Sequence, residues 1–510
     1  MEASVRTRGA LDIALILGFL VVLVTPGVAY LTSHDEAARQ QEIRERELRP
    51  NLEPPPELSL AELESWPTTI DAWWPQRIGL RTDLLRLRGR LWWQVFGEVP
   101  GDRMVRGRDG WMFLARGAFL DLEDDFLDAW RGARPLTEGQ VAQWVDVFAE
   151  RRDWLAERGI AHLVVIAPQK AEVYPDRAPA RYPRVGPSQA DQVLPKLIAS
   201  GVDVLDLRAL FDEARTNDRD GGADHLYHPS GTHWSKRGDA LAYDAIARRL
   251  QANQVLSERP WSTYEEQPFL DDGDSWERRA YLDGLVPRMR EEWILVGAPQ
   301  VRPRRVPGTR RAQYVRRDGA GPHLVLVHDS YGLQVRDLLA LHGDVTAFRS
   351  YAFDTGRIAA AHPAVVVELY VDRMFSQHDP RVLHLRPDLD DVVGSEVWTS
   401  SDIQSVELGQ QPAQRSGRLT LAGFPESGDE AWILELDLSA PGPGGVSAIA
   451  FASSLKQNPP WEGPAEAVQA GRQTLRMQLP VAALQARKLD LLFEGSDGTW
   501  TLHRATLVRP

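Results

Sequence analysis

The chain is 510 residues long, 43% hydrophobic and 26% charged, a globular composition spread over too many residues for one ordinary core, so two or three domains are expected. A net charge of −13 excludes nucleic acid as the main partner, because phosphate binding needs a basic face. With no cysteine, a disulfide framework and any thiolate metal or redox site are excluded, and the compartment is left open.

Arg6 and Arg8 precede Ile13–Thr32, twenty residues without a charge. As a helix this stretch spans roughly 30 Å, the thickness of a bilayer core. Arginines before it and Asp35 and Glu36 after it predict an amino terminus in the cytoplasm and the rest outside. A cleaved signal peptide is the rival reading, with Gly27-Val28-Ala29 as its small-x-small site. Either way the bulk of the chain is exported.

Residues 1–33 therefore read as an anchor, and residues 34–99 as a stalk and lead-in. "HDEAARQQEIRERELRP" is a charged helix without an apolar face, and "NLEPPPELS" breaks it. Ala61 to Phe96 is helical in pattern and rich in tryptophan. "VRGRDGWMFL" (105–114) predicts two short strands around an Asp-Gly turn.

Alternating helices and strands follow. "EGQVAQWVDVFAERRDWLAERG" has helical spacing and stops at Gly159. "AHLVVIAP", "HLVLVHDSYG" and "AVVVELYVDRMF" are continuous apolar runs, as expected of parallel strands buried on both faces. Helices are expected over 188–200, in "GDALAYDAIARRLQ" and in "VRDLLALHG". This rhythm predicts an α/β domain with a parallel sheet flanked by helices over residues 100–384. Residues 255–320 interrupt it as an insertion, a lid or binding loop by length, with seven arginines in "VRPRRVPGTRRAQYVRR". Those arginines suit an anionic polymer or a solvated loop. Residues 385–510 change texture: "QSVELG", "GRLTLAGF", "AWILELDLS", "VSAIAFAS", "QTLRMQLP", "KLDLLFEG" and "TWTLHRATLV" alternate at period two between turns. They predict a separate antiparallel β-sandwich.

Ligands of an open parallel sheet bind at the carboxyl ends of its strands. Two turns that fit this place carry reactive groups. In "VHDSYG", Ser330 follows an apolar strand and precedes a helix, whose first amides could stabilise an oxyanion. The alternative use of Asp329 or Ser330 is to cap that helix. In "GTHW", His233 stands just before another helix, where it is a candidate general base or a packing residue. Serine needs such a base within hydrogen-bond reach to act as a nucleophile. No metal-ligand cluster, P-loop or dinucleotide fingerprint is present, so neither a metal nor a cofactor is expected.

These motifs resemble the alginate O-acetyltransferase group of SGNH-hydrolase-like proteins, periplasmic enzymes that acetylate bacterial exopolysaccharides. The resemblance rests on "DAWWPQRIGLRTDLLRLRGRLWWQVFG", "VRGRDGWMFL", "VVIAPQKAEVYPD", "GTHWSKRG" and "HDSYG", in that order, over about residues 45–380. It implies Ser330 as acyl-accepting nucleophile and His233 as general base. The acid of the family's Asp-Thr-His-Trp turn falls on Gly231, and the glycine before its Asp-Ser on His328. Asp224 is the substitute acid considered first, with Asp239 beside it; a backbone carbonyl or water orienting the imidazole, or an inactive site, are the other accounts. The resemblance further implies a single-pass inner-membrane protein with its catalytic part in the periplasm. Its partners would be an exported polysaccharide and a membrane-bound O-acyltransferase that supplies the acyl group. An acetyl esterase, or an inactive glycan-binding or assembly subunit, are the alternatives. The sandwich resembles a carbohydrate-binding module, with Trp398, Trp432, Trp461 and Trp500 as candidate sugar platforms or core residues.

Overall fold

A computed structural model of the chain describes residues 2–33, 67, 79–116, 126–217, 225–256, 264–267, 276–286, 292–295, 301–305, 311–316, 321–383, 385, 395–400, 402–408, 416–422, 424, 432–450, 461–462, 465–479 and 488–509. The amino-terminal helix Glu2–Ser33 is 32 residues long. Ile13, Phe19, Val22 and Leu23 stand exposed along it. Among the described residues no helix is long and apolar enough to cross a membrane, so the spanning anchor expected over residues 1–33 is not found there. The stalk expected at residues 34–66 lies outside the described residues.

The lead-in is a helix, Arg81–Leu91, running into a π-helical turn, Trp92–Phe96. Trp93 plugs one side of it into a small core with Val99, Met104, Met112 and Leu282. The hairpin expected from "VRGRDGWMFL" forms, with β1 (Met104–Arg106) antiparallel to β2 (Met112–Leu114). Asp109 and Gly110 take positive φ at its tip, 51° and 78°, a conformation that Gly adopts freely and Asp more readily than most residues.

The main sheet is built from β3 (Ala161–Ala167), β4 (Val204–Asp206) and, later in the chain, β9 (His323–His328), β10 (Asp344–Arg349) and β11 (Val365–Val371). Between these sets lie β5 (Tyr264–Gln267) paired with β6 (Glu292–Leu295), and β7 (Val301–Arg305) paired with β8 (Arg311–Arg316). The order is β4-β3-β11-β9-β10-β8-β7. The first five are parallel to their neighbours, and β8 and β7 continue the sheet antiparallel. The arginine-rich part of the expected insertion is thus partly built into the sheet, rather than a loop throughout.

Burial on both faces explains the unbroken apolar strands. In β9, Leu324 and Leu326 face one core with Phe211, Tyr243, Ile246 and Leu339 from the helices Arg208–Asn217, Lys236–Ala252 and Gly332–Leu339. Val325 and Val327 face the other, with Trp144, Phe148 and Leu194 from Glu138–Ala156 and Gln189–Ala199. A buried polar network ties that second layer to the sheet. The Arg151 guanidinium donates to Glu368 at 2.5 Å and to the carbonyls of Tyr351 and Leu383. His162 and the Tyr370 hydroxyl also meet Glu368, at 2.9 and 3.0 Å. Although burial alone would raise it, the Arg151 charge and these hydrogen bonds hold the Glu368 carboxyl below its ordinary range.

The carboxy-terminal region is an antiparallel sandwich. Its strands are β12 (Ser395–Ser400), β13 (Gln404–Leu408), β14 (Ser416–Ala422), β15 (Trp432–Ala440), β16 (Gly444–Ala450), β17 (Trp461–Glu462), β18 (Glu466–Val468), β19 (Gly471–Leu479), β20 (Lys488–Gly495) and β21 (Gly498–Arg509). β12, β13, β15, β19 and β21 form one sheet and the rest the other. Trp432 and Trp500 are buried in the core between them, so two of the four candidate platforms are core residues, and Trp398 is half-buried against that core. The side chain of Trp461 lies outside the described residues. The sandwich abuts the α/β domain at the helix Thr355–Ala361. There the Gly356 amide donates to the Ala465 carbonyl at 3.1 Å. A Cβ on Gly356 would come within 2.4 Å of the Glu466 carbonyl oxygen, so only glycine fits this approach.

Candidate active site

Both reactive turns lie at the carboxyl edge of the parallel strands. After β9 the chain turns through Asp329-Ser330-Tyr331 into the helix Gly332–Leu339. Asp329 fixes this turn: one carboxylate oxygen accepts from the Tyr331 amide at 2.8 Å. The other accepts from the Val371 amide at 2.8 Å and the Tyr351 hydroxyl at 3.3 Å. Burial pushes the Asp329 carboxyl up from its ordinary value. The Gly332 amide donates to the Asp329 carbonyl at 3.3 Å. Asp329 thus occupies the amides of Tyr331 and Gly332, which narrows the oxyanion role expected of the first helix amides. Among the described residues the Ser330 amide has no acceptor. His328, where the related turn has glycine, is buried and pushed down to about 4 by desolvation, hence neutral at physiological pH. Its Nδ1 lies 2.6 Å from the Asp329 carbonyl, and as donor in the neutral ring it adds one more tie to the turn.

The histidine turn is a tight loop closed by a bridge between Tyr227 and Trp234. The Gly231 amide donates to the His228 carbonyl at 3.1 Å, and the Ser235 amide to the Leu226 carbonyl at 2.9 Å. Ser235 caps the helix Lys236–Ala252. The β1–β2 hairpin supports the loop from below through the Met112 amide, 2.9 Å from the Pro229 carbonyl. Lys170, just past β3, is buried beneath it. Its ammonium donates to the carbonyls of His228, Pro229 and Gly231 at 2.9, 3.0 and 2.5 Å. The rings of Phe113 and Trp111 lie 5.0 and 5.4 Å from the same charge. Three donors meeting three converging carbonyls fix the loop from inside.

Tyr331 then joins the two turns. Its hydroxyl donates to the Thr232 carbonyl at 2.6 Å, and its ring lies 5.0 Å from those of His233 and Trp234. The result is a distance of 2.7 Å between His233 Nε2 and Ser330 Oγ. Both side chains are half-buried and so accessible from the cleft. His233 Nδ1 lies 3.2 Å from the Thr232 hydroxyl. Asp224 lies outside the described residues. Asp239 is buried in the first turn of the helix Lys236–Ala252. The arrangement lets an imidazole nitrogen accept the Ser330 proton as the oxygen attacks an electrophilic carbon.

Residues 104–336, which include both turns, match the model of a protein family described as SGNH hydrolase-like domain, acetyltransferase AlgX. Over those residues the chain is similar to an AlgX-type SGNH hydrolase-like domain. Solved structures similar to the chain include the O-acetyltransferase domain of Pseudomonas putida AlgJ, at 20% identity, TM-score 0.36, over 57% of this chain and 95% of that one. Pseudomonas aeruginosa AlgX is 14% identical over 79% of this chain and 93% of its own, TM-score 0.36. Bacillus cereus PatB1 is 11% identical over 54% and 97%, TM-score 0.40. All three scores lie below 0.5, so the assignment rests on the family match. No curated protein sequence matches the chain.

The α/β domain holds a second buried polar cluster, at the end of β11, that the sequence reading did not reach. Arg373 is buried against Phe126 and Tyr331, and its guanidinium reaches the Tyr331 hydroxyl at 3.4 Å. It lines a small cleft with Phe113, Leu127, Gln169 and Thr232, alongside the histidine turn. Beside it the Asp372 carboxyl is raised to about 7 by burial and by the Glu172 charge, against the pull of the Gln169 amide, Arg208 and Arg373. The only trace of this in the sequence is an Asp-Arg pair closing an apolar strand. A raised carboxyl pKa means the folded state holds a proton the unfolded state has released between about pH 4 and 7, so this group's contribution to stability falls as pH rises through that window. Asp372→Asn is expected to stabilise the protein by about 2–4 kcal/mol at pH 8 and hardly at all near pH 4. Denaturant unfolding at both pH values checks this; an equal gain at both would mean the effect is not titration.

Proposed function

We propose that the chain is a serine-dependent O-acetyltransferase that acts on an exported polysaccharide. The observation that carries this reading is the 2.7 Å approach of His233 Nε2 to Ser330 Oγ at the strand ends of an AlgX-type domain. Ser330 Oγ attacks the carbonyl carbon of an acyl ester while His233 Nε2 takes the hydroxyl proton. As the tetrahedral intermediate collapses, that proton passes to the departing alkoxide and the acyl group stays on Ser330. A sugar hydroxyl then attacks the acyl-enzyme, giving its proton to His233, and Ser330 leaves with that proton restored. The negative charge on the intermediate forms near the Ser330 amide, which would donate to it. Asp224 is the acid proposed to orient His233 in place of the glycine at 231. The site works in the periplasm, held at the surface of the inner membrane by the apolar side of the amino-terminal helix, and a membrane-bound O-acyltransferase supplies the acyl group. The uncharged stretch Ile13–Thr32 and the exposed apolar side chains along it support that placement.

Incubation of the full chain with an acetyl-ester donor and acidic or neutral sugar oligomers, followed by mass spectrometry, tests the proposal. Acetylated oligomer is the expected product. Free acetate alone would make the protein an esterase, and neither product would overturn both enzymatic readings.

A further inference from the structure

The lead-in helix carries an apolar stripe that the catalytic proposal does not use. Leu84, Leu87 and Leu91 recur at spacings of three and four, on one side of the helix, with Leu80 at its amino-terminal cap and Val95 in the π-helical turn that follows. All five are exposed, Leu87 at 54% and Val95 at 66%, with Trp92 and Phe96 exposed at the margin. The opposite side is the buried one. Trp93 enters the core there, and a Cβ on Gly89 would come within 2.6 Å of the Tyr281 carbonyl oxygen. This helix therefore presents apolar side chains on two faces, and only one of them meets protein among the described residues.

Charge and position choose the occupant of the other face. The helix exposes Arg86, Arg88 and Arg90 against one acid, Asp83, in a chain whose net charge is −13, while Arg81 donates to the Tyr281 hydroxyl at 3.0 Å. Arg88 lies over the Trp92 ring, 5.9 Å from its centre. Arginines flanking an apolar stripe with a tryptophan at its edge are the composition of a helix that lies in the headgroup layer of a membrane. The stripe also begins beside the amino-terminal helix, where the Gly79 amide donates to the Pro26 carbonyl at 3.1 Å. Pro26 lies toward the carboxy-terminal end of the uncharged stretch Ile13–Thr32.

We infer that the stripe from Leu80 to Phe96 lies on the outer leaflet of the membrane that holds the amino-terminal helix, with its arginines among anionic headgroups. This rests on the membrane-anchored reading given above. A second contact of this kind fixes the orientation of the catalytic domain over the bilayer, which a single flexible tether would not do.

The chain has no cysteine, so a single introduced one labels a unique site. Leu87→Cys, Val95→Cys and the control Glu157→Cys, on an exposed helix end, are made in the full chain and coupled to an environment-sensitive fluorophore. Each is reconstituted into vesicles of phosphatidylcholine with a minority of phosphatidylglycerol. Lipids spin-labelled near the headgroup are expected to quench the labels at 87 and 95 several-fold, while aqueous iodide quenches only the one at 157. Quenching at 87 and 95 by iodide and not by lipid overturns the inference. Protection from both quenchers that is lost on dilution of the protein overturns it in favour of a second copy. A chain that fails to float with the vesicles overturns the anchor reading as well, a result visible before any fluorescence is measured.

Discussion

Ser330→Ala is expected to lower acyl transfer by about 10⁴-fold or more while leaving stability within about 0.5 kcal/mol. The alanine removes the hydroxyl that lies 2.7 Å from His233 Nε2. It leaves the turn itself intact, because the bonds that fix the turn come from Asp329 and the backbone and not from Ser330. His233→Ala is expected to fall by a similar factor, and the double variant by little more than either, since the two act as one unit. Measured as release of the leaving group in a single turnover, the losses separate nucleophile from acceptor binding, because an acceptor has no part in acylation. Turnover that survives in Ser330→Ala would place the chemistry elsewhere. If Ser330→Ala is inactive but Asp224→Ala is not, the serine mechanism stands and the acid is another group. Asp329 is then the next group to examine, although its oxygens are committed to amides and the Tyr351 hydroxyl.

Side-chain patterns were legible in the sequence, and features that depend on backbone atoms were not. The apolar runs of β3, β9 and β11 announce burial on both faces, and the seven alternating segments after residue 400 each correspond to a strand of the sandwich. The meeting of His233 with Ser330 was readable as an expectation, because both motifs stand at strand-to-helix or loop-to-helix junctions. The commitment of the Tyr331 and Gly332 amides to Asp329 was not, since a sequence shows that a helix begins and not where its amides point. β7 and β8 are not legible as strands, because Pro303 and the arginines hide any alternation of apolar residues. Trp432 and Trp500 show the same limit from the other side: tryptophan in a strand suits a sugar platform and a core equally, and only the sheet pairing decides.

Lys170→Met is expected to reduce the rate of acylation by about 10²-fold and to destabilise the protein by about 2–4 kcal/mol. Lys170 does not touch the reacting atoms; it positions the residue that does. Its ammonium is the hub on which the carbonyls of His228, Pro229 and Gly231 converge. A methionine of similar length keeps the packing against Phe113 and Trp111 and returns no hydrogen bond to any of the three. The Pro229 carbonyl keeps the Met112 amide and the His228 carbonyl keeps that of Gly231, so the loop has partial support and shifts rather than unfolds. A shift of about 1 Å in His233 is enough for the stated loss of rate. Lys170→Arg is not expected to rescue it, because a flat guanidinium fork cannot replace a compact ammonium between three converging oxygens. The diagnostic is the split between parameters: the rate of acylation should fall while KM for the polymer stays within about twofold, as for a residue that acts through geometry. Loss of stability with an unchanged acylation rate would show that Tyr331 and the β1–β2 hairpin hold the histidine turn without the lysine.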